Sequence, residues 1–254
     1  MLRSILLPLA FLLGVAVFAQ KQESMYDDAS RTLYSREIYG GPLIHGDGWG
    51  GTFQYGKYVT AKNRVMYGVD IVSMKHPKEI KSFNPWYQDA RGYFYGKLNS
   101  MFIIRPTYGR KHRISEKVRK NGVEVNYVWG LGPSLGFLKP VYLQIGIPGD
   151  YPYTSITTER YDPEKHFANN IFGRASWFKG LGETRIDPGA FGRFAFNFEY
   201  AGDNTGVRAI EVGATMDAYA EKLPIMANLG GPDINKQFFF EFYLAVDFGS
   251  KKTR

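Results

Sequence analysis

The 254-residue sequence contains no cysteine and only 4 histidines. Disulfides and thiolate metal sites are therefore closed to it. The histidines, His45, His76, His112 and His166, show no metal-ligand spacing such as H-E-x-x-H. Gly130-Leu131-Gly132 begins like a dinucleotide loop, but the third glycine is misplaced and no βαβ pattern surrounds it. No metal and no cofactor are expected. Beyond the N-terminus there is no run of 18 apolar residues, so no transmembrane helix is expected either. No internal repeat or low-complexity tract stands out. The most basic stretch, R-K-H-R-I-S-E-K-V-R-K-N-G from Arg110 to Gly122, interleaves no aromatic platform with its charges. The net charge of +8 is accordingly not read as nucleic-acid binding.

Aromatic residues and glycine are abundant: 18 Tyr, 19 Phe, 4 Trp and 29 Gly. Aromatics suit strands and membrane interfaces. Glycine suits tight turns and crowded barrel interiors. The chain opens M-L-R-S-I-L-L-P-L-A-F-L-L-G-V-A-V-F-A-Q, with a basic Arg3, a short apolar core over Ile5 to Val17 and small residues before Gln20. That order reads as a secretory signal peptide, residues 1–19, cleaved after Ala19. A periplasmic segment, 20–30, is expected to follow it.

From there on the chain alternates. In Gln237 to Phe248, Phe238, Phe240, Phe242, Leu244, Val246 and Phe248 form one apolar row, while Glu241 and Asp247 fall on the other. Successive strand side chains point to opposite faces, so one face avoids water and the other tolerates it. The same parity recurs in Arg64–Ile71, Phe94–Tyr108, Gly122–Gly136, Ala190–Tyr200 and Gly206–Ala220, and more weakly around Glu37–Ile44 and Trp49–Val59. About eight strands of this length suit a transmembrane antiparallel up-and-down β-barrel. The barrel is expected over 31–249, with a tail at 250–254. Short connections at 60–63 and 202–206 fall on the periplasmic side, and long ones at 75–92, 139–188 and 221–236 fall outside. The basic Arg110–Gly122 stretch is read as a long, solvated periplasmic turn. The 139–188 insertion is expected to be partly helical, because Asp162-Pro163-Glu164-Lys165-His166 looks like a helix start.

The polar rows mix signs. Arg64, Lys97, Arg105 and Arg193 share them with Asp70, Glu124, Glu199, Glu211, Asp217 and Glu241. Opposed charges in a narrow lumen pair with one another, whereas unpaired ones are costly. These ten residues are therefore expected to form a lumen charge network. His76, Lys78, His166 and Trp177 are candidate recognition residues on the outer face.

Several stretches carry a resemblance: G-D-G-W-G-G (46–51), V-S-M-K-H-P-K-E (72–79), Y-G-K-L-N-S (95–100), G-P-S-L-G-F-L-K-P-V-Y (132–142), G-R-A-S-W-F-K-G-L-G-E-T (173–184) and A-I-E-V-G-A-T-M-D-A (209–218). Through them the chain resembles small outer-membrane β-barrel proteins of the Bacteroidota type. The resemblance implies the fold and the membrane and imports no catalytic residue. Gly132-Pro133-Ser134-Leu135-Gly136 matches G-x-S-x-G, but that motif needs a strained strand-to-helix turn, and here Ser134 lies inside an alternating strand. The expectation is a non-enzymatic outer-membrane barrel, a structural or accessory component of an envelope complex, in contact with outer-membrane lipid and an envelope protein partner. A lipid-modifying enzyme using Ser134, His45 and Asp47, and a small solute channel, are the alternatives.

Overall fold

The computed structural model describes residues 34–115, 122–200, 206–229 and 232–253. The expected signal peptide and the 20–30 segment lie outside them, as do 116–121 and 201–205. Three strands lead: β1 (Tyr34–His45), β2 (Gly48–Tyr58) and β3 (Asn63–Met74). A two-residue ladder follows, β4 (Lys81–Ser82) with β5 (Tyr93–Phe94). The long strands β6 (Asn99–Ser115) and β7 (Val123–Pro140) come next. A small three-stranded sheet is built from β8 (Tyr142–Ile147), β9 (Ser155–Arg160) and β10 (Ile171–Arg174). Last come β11 (Arg185–Tyr200), β12 (Gly206–Tyr219) and β13 (Phe238–Thr253).

Eight strands close into a barrel in the order β1-β13-β12-β11-β7-β6-β3-β2. Each barrel strand pairs antiparallel with the barrel strand before it in the chain, and β1 closes on β13 with Glu37 opposite Lys251 and His45 opposite Tyr243. Register follows the parity of the sequence, because a one-residue slip would turn every charge toward the apolar side. Phe194, Phe196 and Phe198 point outward from β11, and Arg193, Asn197 and Glu199 point inward and are buried. Phe240, Phe242 and Phe248 are exposed on β13, and Glu241 and Asp247 are buried. Phe53, Tyr67, Ile71, Tyr108, Leu131, Ile210 and Val212 extend the exposed apolar band around the wall. An apolar outside over a polar inside is the polarity of a membrane-spanning barrel.

Glycine makes room inside. A Cβ at Gly68 would stand 2.2 Å from the Gln54 amide, and one at Gly56 would stand 2.6 Å from Cγ of Glu37. Both positions are inward-facing, so the lumen side chains occupy the space that a larger residue would need.

Three boundaries differ from the expected ones. β6 runs on to Ser115, so Arg110 to Ser115 is strand and not turn. Its Lys111 faces inward and is fully buried, because Glu37 and Glu199 lie opposite it. β13 runs to Thr253, four residues past the expected barrel end at 249, and Lys251 faces the lumen there. The 139–188 insertion is mostly strand and turn. β7 takes Lys139 and Pro140, β11 takes Arg185 to Pro188, and the helical content between them, among the described residues, is one 3-10 turn at Leu181–Glu183. The expected helix start at Asp162 closes a single turn. Its carboxylate accepts the Glu164 N–H, and Asn170 Oδ1 accepts the Phe167 N–H. Side chains that take backbone groups in this way compete with helix propagation.

Candidate functional site

The interior has layers. At the end bearing the short turns, Arg64 from β3 sits among carboxylates from three other strands. Its guanidinium is 3.1 Å from Glu37, 2.6 Å from Glu124 and 3.9 Å from Glu199. Lys111 approaches Glu37 at 3.6 Å and Glu199 at 3.8 Å, Lys251 bonds Glu199, and Arg113 lies 3.9 Å from Glu124. The Arg64 guanidinium also lies over the Tyr58 ring, 4.6 Å from its centroid, and Lys111 lies over Tyr39 at the same distance. Cation–π attraction strengthens where water is excluded.

A middle layer gathers acids around one cation. Arg193 is 3.4 Å from Asp70 and 4.0 Å from Glu211. Asp70 accepts the Thr52 hydroxyl at 2.7 Å, and Glu211 accepts the Tyr243 phenol at 2.6 Å. The Asn197 amide donates to Glu211 at 3.1 Å and to Asp247 at 3.4 Å. Above it, Arg105 grips Asp217 with two hydrogen bonds, at 3.0 and 2.6 Å. Two parallel bonds make this the strongest geometry available to an arginine–carboxylate pair. Ser134 donates to the same carboxylate at 2.6 Å and meets the Tyr219 phenol at 2.8 Å.

Nearer the loop-rich end the chemistry changes. The inward side chains become Leu43, Val72, Met74, Met101, Ile103, Leu138 and Phe239. The β12–β13 connection drops Leu223, Ile225 and Met226 onto them. Asn235 holds this plug in shape, since its Oδ1 accepts the N–H groups of Ile225 and Met226 at 3.0 Å. The Leu98 N–H donates to the Ile225 carbonyl at 2.9 Å, tying the plug to the start of β6. Beyond it the β8–β9–β10 sheet buries Leu143, Ile145 and Ile171 with Tyr93, Tyr161 and Ala227, the last from the same β12–β13 connection.

Nine of the ten expected lumen residues lie on inward rows. Lys97 does not. Gly96 turns the chain at φ +78° three residues before β6 begins, so Lys97 stays in the cap. Its ammonium is 2.6 Å from Glu79 and 5.2 Å from the Phe94 ring centroid. Burial pushes that ammonium below its usual range, and the Glu79 hydrogen bond opposes the shift. Glu241 lines the upper lumen and has His45 Nδ1 at 3.8 Å. Glu37, Lys111 and Lys251 belong to the network and were not among the ten. All three obey the same parity, which extends through the Arg-Lys-His-Arg run and past Phe248.

The candidate recognition residues divide. His76 is buried: its Nε2 meets the Ile234 carbonyl at 3.1 Å and its Nδ1 accepts the Lys78 N–H at 3.1 Å. It latches the β3–β4 loop to the plug and is not a surface recognition point. His166 is buried too, with Nδ1 accepting the Asp162 N–H at 3.0 Å and Nε2 3.2 Å from Glu159. The Thr157 hydroxyl and the His166 ring hold the Glu159 carboxyl below its usual range. Lys78 and Trp177 are exposed. An open cleft of about 420 Å³ lies in the cap, lined by Asp89, Arg91, Gln144, Thr158, Phe172, Ala175, Ser176 and Lys179. Beside it Trp86 stacks on Tyr151 at 5.3 Å and Tyr87 on Tyr153 at 5.6 Å. Ser134, His45 and Asp47 do not combine: Ser134 bonds Asp217 and Tyr219, while His45 Nε2 bonds the Ser73 carbonyl at 3.0 Å.

No protein-family model matches the sequence, and no characterised protein matches it. Among solved structures, the chain is similar to Ail, the attachment invasion locus protein of Yersinia pestis, in complex with the heparin analogue sucrose octasulfate. Identity is 10%, 85% of this chain and 97% of that one are covered, and the TM-score is 0.40. Ail alone gives 8% identity, coverage of 86% and 99%, and a TM-score of 0.39. The outer membrane protein OprG from Pseudomonas aeruginosa gives 11%, 88% and 98%, and 0.36. No residue's role is carried across from these likenesses.

Proposed function

We propose that the protein is a non-enzymatic outer-membrane barrel, of the small Bacteroidota kind that its sequence resembles, acting as a structural or accessory part of an envelope complex. The loop-rich end faces outward and the short turns face the periplasm. The interior filling carries this reading. Paired charges occupy the lumen from Arg64 to Arg105, and the plug of Leu223, Ile225 and Met226 covers its mouth. A lumen so filled favours a scaffold over a solute channel. Ser134 and His45 are held by other partners, which favours a non-catalytic role over lipid modification. The cap, with Phe83, Trp86 and Tyr151 more than half exposed, offers the surface for an envelope protein. Aromatic side chains of this kind serve as interface anchors.

Gentle detergent extraction of the tagged protein, followed by native gel separation, tests the proposal. A stoichiometric envelope protein that comigrates, and that is lost on Trp86→Ala with Tyr151→Ala, is the expected result. Migration at monomer size alone would contradict it.

A further inference from the structure

The turn at 176–184 lies against the outside of the wall, not over the mouth. Lys139 is on the outward row of β7, two residues beyond Phe137, and is only 5% exposed because this turn covers it. Its ammonium donates to the carbonyls of Lys179 at 3.3 Å and Pro140 at 3.4 Å, and lies 5.6 Å from the Trp177 ring centroid. Tyr142 fixes the far side of the turn by donating to Glu183 at 2.5 Å. Phe137 stacks on Phe102 at 4.7 Å, and Ile186 is its cross-strand partner on β11. Two residues of strand rise about 7 Å. The turn therefore sits directly above the last row of the apolar band.

Three of its side chains are left in the open: Trp177 at 61%, Phe178 at 74% and Leu181 at 40%. Neither Lys139 nor Lys179 has a carboxylate within ion-pair distance among the described residues. Aromatic and apolar side chains beside lysines, at the edge of a lipid-facing wall, match the chemistry of the headgroup boundary.

We propose that this turn is an outer-leaflet anchor. Trp177, Phe178 and Leu181 enter the lipid at the headgroup boundary, and the exposed Lys179 faces the lipid phosphates, while the buried Lys139 holds the turn from beneath. The inference rests on the membrane-barrel reading. It gives the insertion a lipid-binding foot that fixes the cap against the membrane surface.

The absence of native cysteine allows single spin labels. Phe178→Cys, Phe242→Cys on the barrel wall and Phe83→Cys in the cap are labelled in the full protein, in vesicles of phosphatidylcholine and phosphatidylglycerol. The label at 178 should favour oxygen over a water-soluble nickel chelate, as the label at 242 does, while the label at 83 favours the chelate. A label at 178 that behaves like the one at 83, with 242 still in lipid, overturns the anchor and leaves the barrel reading intact. Chelate preference at 242 as well overturns both. A second measurement avoids labelling: the emission lost on Trp177→Phe should be the part quenched by brominated phosphatidylcholine, and failure of bromine to quench it contradicts the anchor.

Discussion

The two ends of the lumen are closed by opposite means. Toward the short turns, Arg64, Lys111 and Lys251 neutralise Glu37, Glu124 and Glu199 inside a wall of tyrosines. Toward the loops, aliphatic and aromatic residues from the wall meet an apolar plug that is not part of any barrel strand. The charged end depends on electrostatic balance, and removing one member leaves an excess of buried charge of the opposite sign. The apolar end depends on packing, and its loss is limited by how well the loop can settle again. One chain thus combines a filling sensitive to single charges with a filling that tolerates small changes.

Breaking the charged end should give the largest effect. Arg64→Ala takes the closest cation from Glu37 and Glu124 in a buried site, leaving them Lys111 at 3.6 Å and Arg113 at 3.9 Å, and loss of one partner from a buried pair costs about 3–5 kcal/mol. Urea unfolding followed by band shift on a gel, in micelles, should report a loss of that order, and a near-neutral result would mean that water reaches the site. Next comes the wall. Leu244 is outward-facing near the middle of β13, and an arginine at the bilayer midplane costs about 2–4 kcal/mol. Leu244→Arg should destabilise by this amount in vesicles and by much less in a soluble detergent complex that lets the charge reach water. A smaller effect is expected at the plug. Leu223→Ala should cost about 2 kcal/mol, the low end for such truncations, because a connection can close part of the cavity.

The smallest effect concerns pH and separates the cap from the barrel. Glu159 is held below its usual range by Thr157 and His166, and Asp162 is held down by the Glu164 N–H and by Lys165. A carboxyl lowered in the folded state contributes fully above its unfolded value, about 4. That contribution disappears as the pH falls through the folded value. Amide exchange in β9 and the following turn should therefore speed up as the pH drops below about 4, relative to the intrinsic rate. Thr157→Ala should weaken this dependence.

The wall was legible because its chemistry repeats every second residue. Phe194 to Tyr200 and Phe238 to Phe248 declare both faces without any knowledge of the neighbouring strands. The same rule would have carried β6 through Lys111 and β13 to Lys251. What hid them was charge density: Arg110-Lys111-His112-Arg113 looks solvated until Glu37, Glu124 and Glu199 are known to face it. The plug was not legible. Leu223-Pro224-Ile225-Met226 is a short apolar stretch in a loop, and only its contacts with Val72, Met101 and Phe239, far away in the chain, give it a role. His76 and His166 were misread for a related reason. Their partners, Ile234 and Glu159, lie on segments that local pattern could not bring together.

The claim on which the rest depends is that the lumen is filled from end to end. Planar-bilayer recording of the refolded protein tests it most directly. A flat trace with no conductance steps at either polarity is expected, and the same flat trace for Leu223→Ala. A steady unit conductance in the unaltered protein would contradict it.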